Sequence, residues 1–371
     1  MPRAADLGIR IGSLPSGPTG SVLDVPGVGL GHATVVRDEP DPPAGRGVAR
    51  TGVTVLWLAD DVYRRPMACG GAVLNGAGEL TGLTAAGEWR LVETPVVLTS
   101  TMQLGRAYDA ACRLMLEADP RVGDEVVIPV VGECDDSSLN NAGVMQIELE
   151  DVRLAWERAR ESVGSAVPPG EGAVGSGTGM TCLGFKSGIG TASRVVPSGH
   201  TVAVLLMTNY QGERRGRLTV DGVPVGRLLG DDVPGWVDGP DDPGPARDDG
   251  SCIGIVVTDA PVDGAGCERL ARRIGLGLAR TGSAAYHGSG EIFLAVSTGL
   301  RADREGQLQA IPTTGSALDP VFEAVVDAAE EAVLNSLLMA TTTVGRRGRV
   351  SHALPAQAVR DLLVPAGRVP A

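Results

Sequence analysis

The chain is long enough to bury a substantial apolar core, although it contains few aromatic rings. It has 371 residues, 43% of them hydrophobic but only 3% aromatic, so aliphatic side chains must form most of that core. The net charge is −13, and Lys186 is the sole lysine. This balance argues against binding to nucleic acid or to an anionic membrane surface, because both require clustered positive charge.

The predicted elements alternate between strands and helices along the chain. Apolar runs rich in β-branched residues predict strands at 53–58, 126–131, 201–208, 252–258 and 292–297. Apolar residues at helical spacing predict helices at 103–118, 263–280 and 319–340, with Asp319 as the cap of the third and Pro320 in its first turn. Because the strand runs are apolar on both faces, they predict a layered α/β fold with buried sheets.

An acidic stretch, residues 221–250, interrupts this pattern. It carries eight aspartates and only two arginines, and it is rich in glycine and proline towards its end. Such a segment cannot easily bury itself, so we expect an exposed loop. It is either a surface insertion or a loop that is cut during processing.

The sequence offers no pattern for a metal or a nucleotide. The six cysteines have no C-x-x-C spacing and the four histidines are scattered, which indicates reduced thiols and no metal site. The glycine-rich run 175–190 lacks the P-loop lysine, because Phe185 follows Gly184, and it does not match the dinucleotide fingerprint. Close backbone packing around a site is the better interpretation. With no apolar leader and no run of membrane length, a cytoplasmic location is expected.

The pair Gly250-Ser251 is the most informative dipeptide in the chain. Gly-Ser occurs eight times, but here it joins the acidic stretch to the apolar run 252–258. If the bond between them is cut, Ser251 gains a free α-amine beside its own hydroxyl. Nucleophile and base then belong to one residue, as in N-terminal nucleophilic catalysis. The alternative is an ordinary junction between a loop and a strand.

Two further positions lie at predicted strand ends. Ser289 and Glu291 are two residues apart before the run 292–297, so their side chains would point the same way and could hold an amine. The alternative there is a solvated turn. Asn209 follows the run 201–208, where its amide could donate to an oxyanion or simply cap a turn.

Eight fragments in order resemble the L-aminopeptidase/D-esterase and β-peptidyl aminopeptidase family of self-processing N-terminal-serine hydrolases. The resemblance covers nearly the whole chain. The fragments are Leu23-Asp-Val-Pro-Gly-Val-Gly-Leu-Gly-His32, Asn75-Gly-Ala-Gly-Glu-Leu-Thr-Gly82, Pro129-Val-Val-Gly-Glu133 with Leu139-Asn140, Gly177-Thr-Gly-Met180 with Gly184-Phe-Lys-Ser-Gly-Ile-Gly190, Asp249-Gly-Ser251, Thr258-Asp-Ala-Pro261, Gly288-Ser-Gly-Glu291 and Leu354-Pro355.

The resemblance implies a single hydrolase domain, 1–371, folded as a four-layer αββα sandwich like the N-terminal-nucleophile hydrolases. It implies a self-made cut between Gly250 and Ser251, giving subunits 1–250 and 251–371 that assemble as a tetramer. Ser251 would be the nucleophile, with Ser289 and Glu291 in support and Asn209 in the oxyanion hole. Small peptides, amino-acid amides or esters would be substrates, and no cofactor is implied.

One departure from the family concerns the substrate pocket. After Glu133 the family tends to carry an aromatic residue, whereas this chain has Cys134, Asp135 and Asp136. The extra carboxylate would favour the amino group of a substrate, which makes Glu133, Asp135 and Asp136 candidate binding residues. The preference for L-, D- or β-amino acids stays open. So do the alternatives of an acyltransferase resembling the ornithine acetyltransferases, an endo-acting amidase and a non-catalytic α/β binding protein.

Overall fold

Two β-sheets stacked face to face form the centre of the protein. The computed structural model describes residues 1–230, 232–240 and 250–370. In chain order the strands are β1 (Gly29–Asp38), β2 (Val48–Trp57), β3 (Met67–Gly76), β4 (Leu91–Val92), β5 (Val96–Ser100), β6 (Val130–Cys134), β7 (Thr181–Cys182), β8 (Phe185–Lys186), β9 (Ile189–Val195), β10 (Thr201–Asn209), β11 (Trp236–Val237), β12 (Ser251–Thr258), β13 (Gly290–Arg301), β14 (Thr343–Val344) and β15 (Val350–Ser351).

Helices cover the outer faces of both sheets. They are α1 (Leu83–Glu88), α2 (Leu104–Ala118), α3 (Val122–Glu125), α4 (Leu149–Glu161), α5 (Val225–Leu228), α6 (Gly264–Thr281), α7 (Asp319–Leu338) and α8 (Ala356–Leu363). α2 and α4 pack on a four-stranded sheet of order β1-β2-β5-β6, and α6 and α7 pack on a six-stranded sheet of order β4-β3-β13-β12-β10-β9. The four-layer αββα sandwich that the resemblance implied is therefore confirmed.

The apolar core is divided by the layers. One cluster fills the space between the sheets, with Leu98 from β5 and Ile253 and Ile255 from β12 among its members. Separate clusters join each sheet to its own helices. Every residue of β12 is buried because both faces of its sheet are covered, which explains why its sequence reads as a continuous apolar run.

The strand register brings three chain segments to one place. β10 runs antiparallel to β12, with Asn209 opposite Ser251. β13 runs parallel to β12, and Ser251 lies beside Gly290. The helix α6 makes the crossover that parallel pairing requires. The end of β10, the start of β12 and the start of β13 therefore meet at one edge of the six-stranded sheet.

Most predicted elements are present, with two local differences. The predicted strand 126–131 begins only at Val130, because α3 occupies 122–125 and Val126 has a positive φ of 53° that breaks the extended run. Asp319 is the first residue of α7 rather than its cap, and Leu318 stands at the cap position with no side-chain hydrogen bond.

The acidic segment is less exposed at its start than its composition suggests. Within 221–230 the chain forms α5, and the apolar side chains of Val223, Val225 and Leu229 are buried against the α6–α7 side of the core. Residues 232–240 include β11, which pairs with β15. Residue 231 and residues 241–249 of the expected loop lie outside the described residues.

Candidate active site

Ser251 is the first residue of β12, and its side chain is buried. Its hydroxyl has no hydrogen-bond partner in the described ranges beyond an interaction with the Cys134 thiol. Burial raises the pKa of that thiol far above its usual range, while Ser251 acts weakly in the opposite direction. Cys134 is therefore an uncharged neighbour, and the Ser251 oxygen is left available for chemistry.

The Asn209 side chain is held by backbone groups on two sides. Its Oδ1 accepts a hydrogen bond from Thr181 N at 3.0 Å, and its Nδ2 donates to Asp135 O at 2.7 Å. An amide nitrogen carries two hydrogens, so one remains for a ligand. The Asn209 side chain is thus fixed by both contacts, and Asn209 lies opposite Ser251 in the strand register.

Ser289 and Glu291 form a buried pair beside Ser251. The Ser289 hydroxyl donates to Glu291 Oε1, and Glu291 Oε2 has no hydrogen-bond partner in the part of the chain that is described. Burial raises the pKa of Glu291, and the hydrogen bond from Ser289 partly opposes that rise. Asn75 donates to the Ser289 backbone carbonyl and so fixes the turn before β13.

Gly250 has no room for a side chain. A Cβ atom there would lie 2.1 Å from Asn209 O and 2.7 Å from Tyr210 Cα. Its carbonyl oxygen accepts a hydrogen bond from Gly290 N at 3.0 Å. The carbonyl that precedes Ser251 is thus held in place and polarised by a backbone donor.

A pocket of about 470 Å³ opens in front of Ser251. Among the described residues, its lining contains three carboxylates and no Lys, Arg or His. The lining residues are Ala77, Gly78, Glu79, Thr101, Glu133, Asp135, Ser138, Thr181, Asn209, Gly250, Ser251 and Gly288. Ser289 and Glu291 are not part of this lining, so they lie behind the pocket surface.

The three candidate binding carboxylates occupy different environments. Glu133 is buried in the pocket wall, where Oε1 accepts from Glu79 N at 2.7 Å and Oε2 accepts from the Thr101 hydroxyl. Burial raises its pKa, and those two hydrogen bonds oppose the rise. Asp135 lies exposed at the pocket, where its carboxylate accepts from the backbone and hydroxyl of Ser137.

Asp136 does not line the pocket. It is fully buried, and its Oδ1 accepts from Ser100 Oγ at 2.9 Å and from Asn140 Nδ2 at 3.0 Å. Burial raises the pKa of Asp136 to about 7. The expectation that it binds substrate is therefore not supported by its position, which is that of a buried residue joining β5 to the loop after β6.

The glycine-rich run 175–190 packs backbone against backbone beside the site. A Cβ atom on Gly177 or Gly188 would lie within 3 Å of neighbouring backbone atoms. Lys186 is fully buried in this run, and its Nζ donates to the carbonyls of Gly177, Met180 and Ser187. The adjacent Thr181 holds Asn209, so the run supports the site rather than a phosphate.

Sequence reasoning missed several supporting residues. Thr101 and Glu79 hold Glu133, Thr181 holds Asn209, and Asn75 holds the turn before β13. Asn75, Glu79 and Glu133 lie in fragments that carried the family resemblance, which was the available signal. Thr101 and Thr181 showed none. In the described ranges, His, Cys, Asp and Glu nowhere form a group of three or more suited to a metal ion.

The protein has four layers, and β10, β12 and β13 meet at one pocket, where the buried Ser251 begins β12. This arrangement is that of the N-terminal-nucleophile-like hydrolases. Known proteins agree with this class. The family model described as peptidase family S58 matches residues 20–351. The chain belongs to this family and is accordingly a peptidase.

Individual relatives cover almost the full length of the chain. The β-peptidyl aminopeptidase BapA of Sphingosinicella microcystinivorans is 35% identical over 373 residues, which cover 98% of this chain and 92% of the relative. The L-aminopeptidase D-Ala-esterase/amidase of Ochrobactrum anthropi, described as a variant of the Ntn hydrolase fold, matches with a TM-score of 0.86 and 32% identity over 100% of both chains. The β-aminopeptidase of a Burkholderia species matches with a TM-score of 0.83 and 35% identity over 99% of both.

Proposed function

We propose that this peptidase cuts its own Gly250–Ser251 bond and then acts as an N-terminal-serine aminopeptidase. It releases the first residue of small peptides, amino-acid amides or esters. The observation that carries the proposal is the Ser251 hydroxyl, which is buried, available for chemistry, directly after Gly250 and at the pocket opposite Asn209.

Self-cleavage begins with attack of Ser251 Oγ on the carbonyl carbon of Gly250. The bond from that carbon to Ser251 N breaks as the ester forms, and the hydroxyl proton ends on the departing amine. Water then hydrolyses the ester and leaves Gly250 with a free carboxylate. The hydrogen bond from Gly290 N to the Gly250 carbonyl supports this step, because it stabilises negative charge developing on that oxygen.

Substrate hydrolysis uses the same oxygen. The free α-amine of Ser251, whose ordinary pKa is about 7.7–8.0, takes the hydroxyl proton as Oγ attacks the substrate carbonyl. The proton passes to the leaving amine or alcohol, and water releases the acyl group. Asn209 Nδ2 donates to the oxyanion, and the Ser289–Glu291 pair orients the α-amine.

Recognition of the substrate's amino group falls to the acidic pocket wall. Glu133 is fixed by Thr101 and Glu79, so its carboxylate is already oriented before a substrate enters. Asp135 adds a second carboxylate on the same pocket. A free α-ammonium close to these groups places the first peptide bond at Ser251, which explains why cleavage is limited to the N-terminal residue.

Mass spectrometry of the purified protein tests the proposal. We expect two fragments, 1–250 and 251–371, and hydrolysis of amino-acid amides by the cut protein. Ser251→Ala should give one uncut chain of about 38 kDa without activity. A wild-type chain that stays intact for days, or a cut protein that hydrolyses neither amides nor esters, would contradict the proposal. Product analysis with an added amine acceptor separates hydrolysis from acyl transfer.

A cytoplasmic tetramer is part of this proposal. All six cysteines are free, five of them buried, as suits a reducing compartment. Exposed apolar side chains, including Leu74 of β3 and Leu276 of α6, offer surface for contacts between copies. Light scattering on the cut protein gives the mass that tests the assembly. Across the described ranges, no helix is both long and apolar enough to cross a membrane.

A further inference from the structure

The active-site pocket carries more negative charge than a single α-ammonium requires. Glu79, Glu133 and Asp135 all line it, and no cationic side chain among the described residues does. Arg214 and Arg217 stack on the Tyr286 ring at 4.7 and 6.0 Å, and neither is in the lining. Arg349 donates to the backbone carbonyl of Ser138, a lining residue, but is not itself in the lining.

The three carboxylates are not equivalent. Glu133 is buried, and both of its oxygens are already hydrogen-bonded, which suits a fixed receptor for one amino group. The Glu79 carboxylate is exposed and has no hydrogen-bond or ion-pair partner within the described ranges. The Asp135 carboxylate is bonded only to Ser137, which carries no charge. Among the described residues, Glu79 and Asp135 are thus left without a counter-charge.

Glu79 and Asp135 both affect the ionisation of Glu133. The negative charges of Asp135 and Glu79 both raise the pKa of Glu133, and all three residues line the same pocket. Asp135 is also tied to the catalytic centre, because its backbone carbonyl accepts from Asn209 Nδ2 at 2.7 Å. The buried Ser251 hydroxyl lies in the same pocket.

We propose that the enzyme prefers substrates whose first residue carries a second positive charge, as lysine and ornithine do. Glu133 binds the α-ammonium, while Glu79 and Asp135 attract the side-chain ammonium. This inference rests on the proposed function and adds the substrate class to it. A clustered negative surface also raises the local concentration of a dicationic substrate, so kcat/KM should fall as salt is added.

The test compares lysyl and norleucyl 4-nitroanilides, whose side chains differ by the terminal ammonium. At low salt we expect kcat/KM for the lysyl substrate to exceed that for the norleucyl substrate about tenfold, equivalent to about 1.4 kcal/mol. The ratio should approach one in ~1 M salt, where the Debye length is about 3 Å. The double variant Glu79→Gln/Asp135→Asn should bring the ratio near one at low salt.

A matched control removes the same charge elsewhere. Asp124 on α3 and Glu323 on α7 are exposed, and neither lines the pocket, so Asp124→Asn/Glu323→Gln should keep the wild-type ratio. If the pocket double variant does not fold, each single variant should lower the ratio about threefold, which is half of the tenfold preference on a logarithmic scale.

The outcomes distinguish a failure of this inference from a failure of the proposed function. Hydrolysis of the norleucyl substrate with no lysyl preference overturns the inference and leaves the aminopeptidase intact. A lysyl preference that survives in the pocket double variant also overturns it, because another group must then recognise the charge. If the cut enzyme hydrolyses neither substrate, nor any amide or ester, the proposed function itself fails and the inference falls with it.

Discussion

The chemistry proposed for this site depends on a Ser251 hydroxyl that is buried but has few hydrogen-bond partners. Its oxygen has no hydrogen-bond partner among the described residues beyond the interaction with the Cys134 thiol, and Asn209 lies opposite Ser251 with one amide hydrogen to spare. The Ser289–Glu291 pair stands behind the pocket wall rather than in it. Gly290, between the two members of that pair, lies beside Ser251 in the strand ladder, which suits the role proposed for the pair at the α-amine. In the proposed mechanism the substrate meets the nucleophile, the oxyanion donor and the pocket carboxylates.

Substitution of Asn209 tests the oxyanion donor. Asn209→Asp keeps an oxygen to accept from Thr181 N but removes the donor and adds a negative charge facing the oxyanion. We expect kcat to fall roughly 10²–10³-fold, with a smaller change in KM, because the donor acts in the transition state. Steady-state kinetics on the cut variant give both constants. An unchanged kcat would remove Asn209 from the oxyanion hole.

Gly250→Ala should block self-cleavage. The added methyl group would overlap Asn209 O and Tyr210 Cα, so the scissile carbonyl must leave the position where Gly290 N donates to it. Gel electrophoresis over time should show a slowed or absent cut. Gly87→Ala in α1 is the control, because a Cβ there has no neighbour within 4 Å. Equal cutting of both variants would show that this fixed carbonyl is not needed.

A site residue could be predicted from the sequence only where its local pattern or a family fragment carried a signal. Ser251, Ser289 and Glu291 stand at the ends of apolar runs, so local pattern and family resemblance made them candidates, and the structure brings them close together. Thr101 and Thr181 hold Glu133 and Asn209 only through contacts across the fold, and nothing in their local sequence reveals this. Asp136 shows the opposite case. Glu133 and Asp135 line the pocket, but Asp136, in the loop after β6, is buried and bonded to Ser100 and Asn140.

At the scale of elements, strands with long apolar runs were predicted from the sequence, whereas an element that mixes charged and apolar residues was not. β10, β12 and β13 were found because buried strands leave a continuous apolar signature. α4 was missed because charged residues dominate its sequence. Only a stripe containing Val152, Ala155 and Trp156 contacts the sheet. The close backbone packing of the glycine-rich run was predicted, but its hydrogen bonds from Lys186 appear only in the folded chain.

Lys186→Met should destabilise the glycine-rich run. Methionine matches the length of the lysine stem but cannot donate to the carbonyls of Gly177, Met180 and Ser187. Burial lowers the pKa of Lys186 to about 7, so removing the amine also relieves some cost of a buried charge. Gly177 O and Met180 O keep backbone donors, whereas Ser187 O loses the amine as its donor. We expect the loss of the three hydrogen bonds to dominate and the free energy of unfolding to fall by roughly 1–3 kcal/mol.

Urea unfolding in the uncut Ser251→Ala background measures that loss on a single chain. Arg10→Met serves as the control, because Arg10 is an exposed cation before β1 with no side-chain hydrogen bond within the described ranges. A stability equal to that of the parent, or above it, would mean that the buried amine contributes less than the charge costs.

At the scale of the whole molecule, stacking two sheets under helices encloses ionisable groups that a thinner fold would leave in water. Glu171 and Asp136 are both buried, and burial raises the pKa of each to about 7. Glu171 is paired with Arg3 at 2.6 Å, whereas Asp136 is met only by neutral donors. The pH dependence of stability should therefore be seen most clearly at Asp136.

Asp136→Asn should reduce the loss of folding stability that occurs as the pH rises towards 7. The pKa of Asp136 is raised from its usual 3.8 to about 7, so between these values the folded chain binds more protons than the unfolded chain. Stability then falls as pH rises through this window, by up to about 1.4 kcal/mol per pH unit. Asparagine has no such proton to lose. As the pH rises from 5 to 7, the free energy of unfolding of the wild type should fall by roughly 2–3 kcal/mol more than that of the variant.

Urea unfolding at pH 5 and pH 7, again with Ser251→Ala in every chain, measures this difference. Contributions from Glu171 and the other carboxylates are common to both chains and cancel in the comparison. Asp124→Asn, at an exposed position on α3, should follow the wild-type pH dependence. If Asp136→Asn follows it as well, the Asp136 carboxylate is ionised at pH 5 in the folded protein. Its donors from Ser100 and Asn140 must then outweigh its burial.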